Sequence, residues 1–217
     1  MLNKQAVIFD MDGVIVDSEK FWAQAEKEVF TSLEVKVTDE LAEKTKSLTT
    51  SEVTEFWYSK FPWQDKDLDI VEQMVISKVI DLIKTEECSI NGVKDFIEKL
   101  KAKNYKIGLA TNSPTSIIQT VLQKFDLTHL FDTVSSAEFE EKGKPDPAIY
   151  FTAAKKLGIK PEKCIVIEDS QLGMLAAKNA GMTVIAFTNG NNKIDFEIAD
   201  YKIDDFENFN TDKLKLV

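Results

Sequence analysis

The chain has 217 residues, 43% of them hydrophobic, which fits one large domain or a domain with an insertion and excludes a disordered chain. Its formal net charge is −10, from 37 acidic residues against 27 basic ones, and every basic residue is a lysine. The acidic balance and the absence of arginine's bidentate guanidinium argue against nucleic acid or an anionic membrane as a partner.

Five short apolar runs, taken in chain order, predict buried parallel strands at residues 6–9, 106–111, 132–137, 164–168 and 183–187. The later runs are separated by helices with recognisable ends: Ser113 before Pro114, Asp146 before Pro147 with Gly158 at the far end, and Ser170 with Gly181. This alternation predicts an α/β fold, a Rossmann-like three-layer core around a mostly parallel sheet.

The segment between the first and second strands is too long for a single crossover helix, so we expect an insertion. Its apolar residues recur at helical spacing, and an aromatic-rich helix should stop before Pro62. The helical stripes are Trp22, Ala25, Val29 and Leu33, and then Val71, Met74, Val75, Val79 and Leu82. The predicted division is a core of residues 1–17 and 88–217 and a helical domain of residues 18–87, joined by linkers near 14–18 and 84–91.

The cysteines and the N-terminal residues indicate in which cellular compartment the protein is expected. Cys88 and Cys164 are far apart, and Cys164 lies in an apolar run, so we expect two reduced thiols. The N-terminal residues do not form a basic region followed by a long apolar one, and no apolar run reaches membrane-spanning length. A cytoplasmic protein is predicted, and the acidic surface without a heptad pattern predicts a monomer.

Polar residues follow the predicted strands at the edge where α/β sheets bind ligands. They are Asp10 and Asp12 after the first strand, Thr111, Asn112 and Ser113 after the second, Lys144 in the loop after the third, and Glu168, Asp169 and Ser170 after the fourth. Carboxylates about 4 Å apart repel by about 4 kcal/mol at an effective dielectric near 20, so this set calls for a cation.

Oxygen ligands from a few carboxylates suit Mg²⁺, whereas His129 and two separated cysteines offer little to a softer metal. Thr111, Lys144 and the backbone N–H groups of a helix beginning at Ser113 would supply a hydroxyl, a cation and oriented donors to a phosphate. Together these residues predict a phosphoryl-transfer site.

The stretches "FDMDG", "LATNS", the lysine of "GKPDP" and "IEDS", in this order, resemble the four motifs of the haloacid dehalogenase superfamily. The resemblance covers the whole chain, including a helical cap domain inserted after the first motif. It is similar above all to sugar-phosphate phosphatases of the 2-deoxyglucose-6-phosphatase and hexitol phosphatase type, in the β-phosphoglucomutase-like subfamily, whose cap carries a stretch like "FWYSKFPW".

The resemblance implies a role for each site residue. Asp10 would be the nucleophile that forms an aspartyl phosphate, and Asp12 the general acid and then the general base. Thr111 and Lys144 would hold the phosphoryl oxygens, with Met11 and Asn112 as further substrate-binding residues. Mg²⁺ would be held by the carboxylates of Asp10 and Asp169 and by the Asp12 backbone carbonyl, with Glu168 behind these ligands.

The cap residues have two readings. Asp17, Ser18 and Glu19 are expected to cap the first insertion helix. Trp22 shares its helical face with core positions, which favours packing, but that face begins just past a linker, so Trp22 is also a substrate-binding candidate. Thr49, Thr50 and Trp57 are candidates for sugar recognition on resemblance alone.

The predicted function is Mg²⁺-dependent hydrolysis of small phosphorylated metabolites, such as hexose or hexitol phosphates. The alternative is a sugar phosphomutase resembling β-phosphoglucomutase, which by resemblance carries a cap histidine twelve residues after the nucleophile, where this chain has Trp22. A non-catalytic phospho-acceptor of the response-regulator kind is a third reading, which the helical insertion fits poorly.

Overall fold

A computed structural model describes residues 4–46, 48–191 and 197–216 of the chain. Within these residues, six strands form one parallel sheet in the order β3-β2-β1-β4-β5-β6. The strands are β1 Ala6–Phe9, β2 Lys106–Thr111, β3 Thr133–Ser136, β4 Cys164–Glu168, β5 Thr183–Phe187 and β6 Tyr201–Ile203. The predicted fold class is confirmed.

The described part of the chain has eight α-helices. They are α1 Glu19–Ser32, α2 Asp39–Ala42, α3 Thr50–Lys60, α4 Leu68–Thr85, α5 Val93–Ala102, α6 Thr115–Lys124, α7 Ala148–Leu157 and α8 Gln171–Asn179. The first four lie between β1 and β2, where an insertion was predicted. Helix α3 ends just before Pro62, and α8 begins at the N-cap Ser170, whose hydroxyl accepts a hydrogen bond from Gly173 N at 3.0 Å.

Alternating side chains of β1 divide the apolar core between the two faces of the sheet. Val7 and Phe9 belong to one cluster of buried residues, and Ala6 and Ile8 belong to the other. The first cluster continues without a break into the insertion, where it includes buried residues of α1, α3 and α4 such as Phe30. Because this core is shared, the division at residues 17/18 and 87/88 stays a prediction.

The two linkers of the insertion pair with each other. Asp17 N donates to Cys88 O at 2.9 Å, and Val16 forms an antiparallel bridge with Ser89.

Cys88 and Cys164 are buried, and both are free thiols. None of the helices in the described ranges combines the length and the apolar character that crossing a membrane requires.

Lys124 of α6 ties the core to the last helix of the insertion. Its Nζ donates to the carbonyl of Ile83 at 2.6 Å and to that of Glu86 at 2.5 Å. Carbonyls in the last turn of a helix have no partner within the helix, and a cation there also complements the helix dipole. Lys124 therefore stabilises the C-terminal end of α4.

The sequence pattern does not predict the sixth strand, β6. It has three residues, lies at the edge of the sheet, and begins with Tyr201, which is 44% exposed. An edge strand this short has little alternation to detect, and pairing with β5 decides its conformation.

Replacing Lys124 by methionine keeps much of the aliphatic stem and removes the ammonium. We expect Lys124→Met to lower the free energy of unfolding by about 1 kcal/mol, because carbonyls at the end of α4 lose a charged donor. Urea unfolding followed by circular dichroism measures the change. Lys27→Met on the exposed side of α1 is the control, and equal effects of the two substitutions would contradict this account.

Candidate active site

The site residues lie where the order of the strands reverses. β2 and β3 lie to one side of β1, and β4, β5 and β6 lie to the other. Asp10 directly follows β1, while Thr111 ends β2 and Glu168 ends β4. Parallel strands bring these residues to one edge of the sheet, as the sequence predicted.

The Lys144 ammonium lies between two buried carboxylates. Its Nζ is 2.6 Å from Asp10 Oδ1 and 2.7 Å from Glu168 Oε1, and it also donates to Ala110 O at 3.0 Å. The Lys144 side chain is only 6% exposed. Burial alone would lower the pKa of Lys144, but Asp10 and Glu168 raise it well above its usual value, so the ammonium stays charged.

Asn112 fixes the loop that carries this lysine. The Asn112 side-chain oxygen accepts from the Lys144 backbone N–H at 2.9 Å. A Cβ on the neighbouring Gly143 would lie 3.0 Å from the Asn112 amide and 2.6 Å from Thr49 Cγ2 of the insertion. Gly143 therefore allows the loop, the end of β2 and the insertion to meet closely.

Glu168 is fully buried and receives five hydrogen bonds. Oε1 accepts from Lys144 Nζ and from the Tyr150 hydroxyl at 3.0 Å, and Oε2 accepts from Asp169 N, Ser170 N and Ser170 Oγ, each at 3.0 Å. The backbone of α8 also packs against it, since a Cβ on Gly173 would lie 1.7 Å from Oε1. Glu168 is therefore fixed in position and orients Lys144.

Asp10, Glu168 and Asp169 each bring one carboxylate oxygen within 4.8 Å of the others. Burial raises the pKa of Asp10 to about 8, with Glu168 and Asp12 adding to the rise and Lys144 opposing it. Burial, together with Glu168, also raises the pKa of Asp169 well above its usual value. One ammonium does not balance this charge, and the hard oxygen donors fit Mg²⁺.

Gly13 permits the tight turn beside Asp169. Its φ is +77°, in the region that favours glycine, and a Cβ there would lie 1.9 Å from Asp169 Oδ2. The turn after β1 can therefore approach the loop after β4 only with glycine at this position.

Asp12 is held by donors from both the core and the insertion. Oδ1 accepts from Ser18 Oγ at 2.5 Å and from Trp22 Nε1 at 2.9 Å, and Oδ2 accepts from Ser113 Oγ at 2.6 Å and from Thr111 Oγ1 at 3.4 Å. Trp22 also packs against the large apolar cluster, as its helical spacing predicted, and its contact with a substrate stays a prediction.

Two predicted helix caps differ from the structure in different ways. Ser18 occupies the N-cap position of α1 but makes no side-chain capping bond, since its backbone (φ −109°, ψ −6°) lies outside the extended region usual for an N-cap, and its hydroxyl donates to Asp12. Helix α6 begins at Thr115, with Pro114 at the N-cap position, so Ser113 does not cap it and the helix begins two residues after the predicted point. The hydroxyl of Ser113 also reaches Asp12.

The remaining candidates are placed as follows. The Met11 side chain is fully buried, so its backbone is the part available to a substrate. Thr49 caps α3 and reaches Gly143, and Thr50 is buried. Trp57 is fully buried against Phe30 and other aromatic rings, which argues against contact with a sugar.

Glu26 was not among the sequence candidates. It follows Trp22 by one turn of α1, and its Oε2 is 3.4 Å from Thr45 Oγ1. Burial raises the pKa of Glu26 to about 7. Tyr150 was missed as well, because on a helix it is indistinguishable in sequence from a core aromatic residue.

The comparison with known proteins agrees with this geometry. A family model described as "Haloacid dehalogenase-like hydrolase" matches residues 7–187. The chain therefore belongs to the haloacid dehalogenase-like hydrolase family, which confirms the predicted family and makes the chain an enzyme.

Two curated relatives and one solved structure carry the similarity further. Hexitol phosphatase B of Escherichia coli strain K12 is 37% identical over 202 residues, which are 91% of this chain and 90% of that protein. β-Phosphoglucomutase of Bacillus subtilis strain 168 is 31% identical over 199 residues, 86% of this chain and 84% of that protein. The crystal structure of β-phosphoglucomutase from Clostridium difficile has a TM-score of 0.85 at 23% identity, covers 98% of this chain and 96% of its own, and shows a shared fold.

Removing the Tyr150 hydroxyl tests the network around Glu168. We expect Tyr150→Phe to lower the free energy of unfolding by about 1–3 kcal/mol, because a buried carboxylate loses a donor while the ring is kept. Urea unfolding measures this change. Tyr105→Phe is the control, since the Tyr105 hydroxyl has no hydrogen bond among the described residues; equal values for the two variants would contradict the assignment.

Glu26→Gln tests the environment of Glu26 through pH. Folded protein keeps the Glu26 proton up to a pKa of about 7, whereas the ordinary value is 4.5, so unfolded chain binds fewer protons between these values. Wild-type stability should therefore fall as pH rises through this window, and the variant should lack that fall. The difference is at most about 3 kcal/mol, and less because the side chain is partly exposed.

Urea unfolding of both proteins at about pH 5 and about pH 8 measures this difference. Glu28→Gln on the same helix is the control, because the Glu28 side chain is about half exposed, at 47%, and pairs with Lys78. A stability difference between Glu26→Gln and wild type that is the same at both pH values would contradict the burial of Glu26.

Proposed function

We propose that this enzyme is a Mg²⁺-dependent phosphatase that hydrolyses hexose or hexitol phosphates through an aspartyl phosphate on Asp10. The observation that carries the proposal is the Lys144 ammonium held between Asp10 and Glu168, beside the Asp169 carboxylate. The similarity to a protein named hexitol phosphatase B supports this class of substrate.

In the first step a carboxylate oxygen of Asp10 attacks phosphorus, and the bond between phosphorus and the sugar oxygen breaks. Asp12 gives its proton to the leaving alcohol. In the second step Asp12 takes a proton from water as the water oxygen attacks phosphorus, and the bond between phosphorus and the Asp10 oxygen breaks, which releases inorganic phosphate and restores the Asp10 carboxylate. Both carboxylate oxygens of Asp12 accept hydrogen bonds in this structure. Each proton transfer therefore requires that one of these hydrogen bonds be replaced by a hydrogen bond to the reacting oxygen.

The phosphoryl oxygens would be bound by Lys144, by the Thr111 hydroxyl, and by Asn112 and the Met11 backbone. Lys144 lowers the repulsion between Asp10 and an incoming phosphate, since it already contacts Asp10 Oδ1. Glu168 keeps that ammonium in place through its own hydrogen bond.

A Mg²⁺ ion would be held by the carboxylates of Asp10 and Asp169 and the backbone carbonyl of Asp12. When bound, it would neutralise charge on the carboxylates and on the phosphoryl group. Glu168 is better suited to a position behind these ligands, because protein donors already occupy both of its oxygens.

A sugar phosphomutase is the second candidate, since a relative with that name is 31% identical. Trp22 favours hydrolysis. It lies twelve residues after Asp10, and its indole N–H donates to Asp12 but has no basic nitrogen with which to exchange a proton with a sugar. His129, the single histidine, lies on the surface near Asp126 instead.

The proposed enzyme acts as a monomer in the cytoplasm, and both statements rest on the sequence. Acidic composition and two free buried thiols are compatible with them.

Asp10→Asn should abolish phosphate release, by at least about a thousandfold, because an amide does not replace the carboxylate nucleophile. Purified enzyme is incubated with Mg²⁺ and a panel of sugar and polyol phosphates, and both free phosphate and isomerised sugar phosphate are measured. Asp95→Asn, on the exposed face of α5, is the matched control. Chelation of Mg²⁺ by EDTA should also stop the reaction, and added Mg²⁺ should restore it.

Isomer formation with little phosphate release would favour the mutase. Stable labelling of Asp10 without turnover would favour the phospho-acceptor. Full phosphatase activity in Asp10→Asn would contradict the proposed mechanism.

A further inference from the structure

The two carboxylate oxygens of Asp12 have different kinds of partners. Oδ1 is contacted from the start of α1, where Ser18 Oγ donates to it at 2.5 Å and Trp22 Nε1 at 2.9 Å. Oδ2 is contacted from the end of β2, where Ser113 Oγ donates to it at 2.6 Å and Thr111 Oγ1 at 3.4 Å. One oxygen therefore has an indole among its donors, and the other has hydroxyls alone among the described residues.

This difference decides which oxygen exchanges a proton easily. An indole N–H is a donor only, whereas a hydroxyl both donates and accepts. A proton on Oδ1 would weaken that oxygen as the acceptor for Trp22, whose N–H has no means of reversing the hydrogen bond. A proton on Oδ2 is accommodated, because the Ser113 hydroxyl reverses its hydrogen bond and accepts from the acid. Oδ2 is thus the oxygen that gains and loses a proton without disrupting its surroundings.

The backbone of Ser113 is fixed on both sides. Ser113 is buried, its N–H donates to Thr111 Oγ1 at 3.1 Å, and its carbonyl oxygen accepts from Ser136 Oγ at 2.7 Å. Ser136 of β3 is the register partner of Thr111 of β2, so these contacts join two adjacent strands. The following Pro114 restricts the Ser113 backbone further. The Ser113 hydroxyl is therefore a fixed partner for Oδ2.

Thr111 links Oδ2 to the part of the site that would bind phosphate. In the proposed function the Thr111 hydroxyl binds a phosphoryl oxygen, and it lies 3.4 Å from Oδ2. A hydrogen bond of this length is weak, so it is the contact that Oδ2 most readily exchanges for a reacting oxygen. The leaving oxygen is bonded to the same phosphorus as that phosphoryl oxygen, which places Oδ2 near the bond that breaks.

We propose that Asp12 exchanges protons through Oδ2 and that Ser113 is the positioning residue that holds this oxygen. The inference rests on the proposed function and deepens it. In the first step the proton on Oδ2 passes to the leaving oxygen as the bond between that oxygen and phosphorus breaks. In the second step Oδ2 takes a proton from the attacking water. Ser113 neither gains nor loses a proton overall, since its hydrogen bond only reverses direction.

The test varies the leaving group, because a poor leaving group needs the proton of Asp12 more than a good one does. Sorbitol 6-phosphate and phenyl phosphate release poorer leaving groups than p-nitrophenyl phosphate. The quantity measured is kcat/KM, which reports the steps up to transfer of the phosphoryl group to Asp10. Ser113→Ala should lower kcat/KM for sorbitol 6-phosphate by about ten- to a hundredfold and for p-nitrophenyl phosphate by less than about threefold, with phenyl phosphate in between.

Three further variants separate positioning from a general effect on structure. Ser113→Cys keeps a weak donor and acceptor, so its losses should lie between those of wild type and Ser113→Ala. Ser18→Ala removes a donor from Oδ1, and it should change the ratio of kcat/KM between the esters by less than Ser113→Ala does. Ser116→Ala, at an exposed position of α6, is the matched control and should leave every value unchanged.

Equal losses of kcat/KM on all three esters in Ser113→Ala, no loss on any of them, or an equal or larger change of the ratio in Ser18→Ala would overturn the inference. Wild type that releases phosphate from both aryl esters but not from sorbitol 6-phosphate would overturn only the proposed sugar substrate, and the two aryl esters then carry the test of Ser113. Absence of hydrolysis with every ester would overturn the proposed function and the inference together.

Discussion

The site depends on one interaction, the Lys144 ammonium placed between the carboxylates of Asp10 and Glu168. Three chain segments far apart in sequence converge there, and the charge is enclosed from solvent. A buried charge is costly unless it is paired and hydrogen-bonded, so each part of this group requires the others. The hydroxyl of Tyr150, the amides at the start of α8 and the close approach of Gly173 all act to hold Glu168 in this position.

The insertion takes part in the site. Ser18 and Trp22 lie at the start of α1, yet both donate to Asp12, which comes directly after the first strand. The apolar cluster also runs without interruption from the sheet into the insertion. A change in the position of α1 relative to the sheet would therefore alter the hydrogen bonds of Asp12, and Glu26 would move with it.

Much of the fold could be predicted because its signals are local. The five buried strands are short apolar runs, and the helices have period 3.6 with Gly158 and Ser170 at their ends. Strand β6 could not be predicted, because an exposed edge strand of three residues has almost no hydrophobic pattern. Capping rules place Ser18 and Ser113 at helix ends because they consider only neighbouring backbone, and they do not reveal that in the folded chain both hydroxyls donate to Asp12.

The sequence by itself determined the family, the parallel α/β architecture and the identity of the polar residues at the strand ends, because strand ends in a parallel sheet necessarily meet at one edge. Only the tertiary structure decided which donors serve which carboxylate. Tyr150 and Glu26 look like ordinary helical residues in sequence. Their significance comes from burial and from partners elsewhere in the chain, and these exist only after α7 has packed on the sheet and α1 against the rest of the insertion.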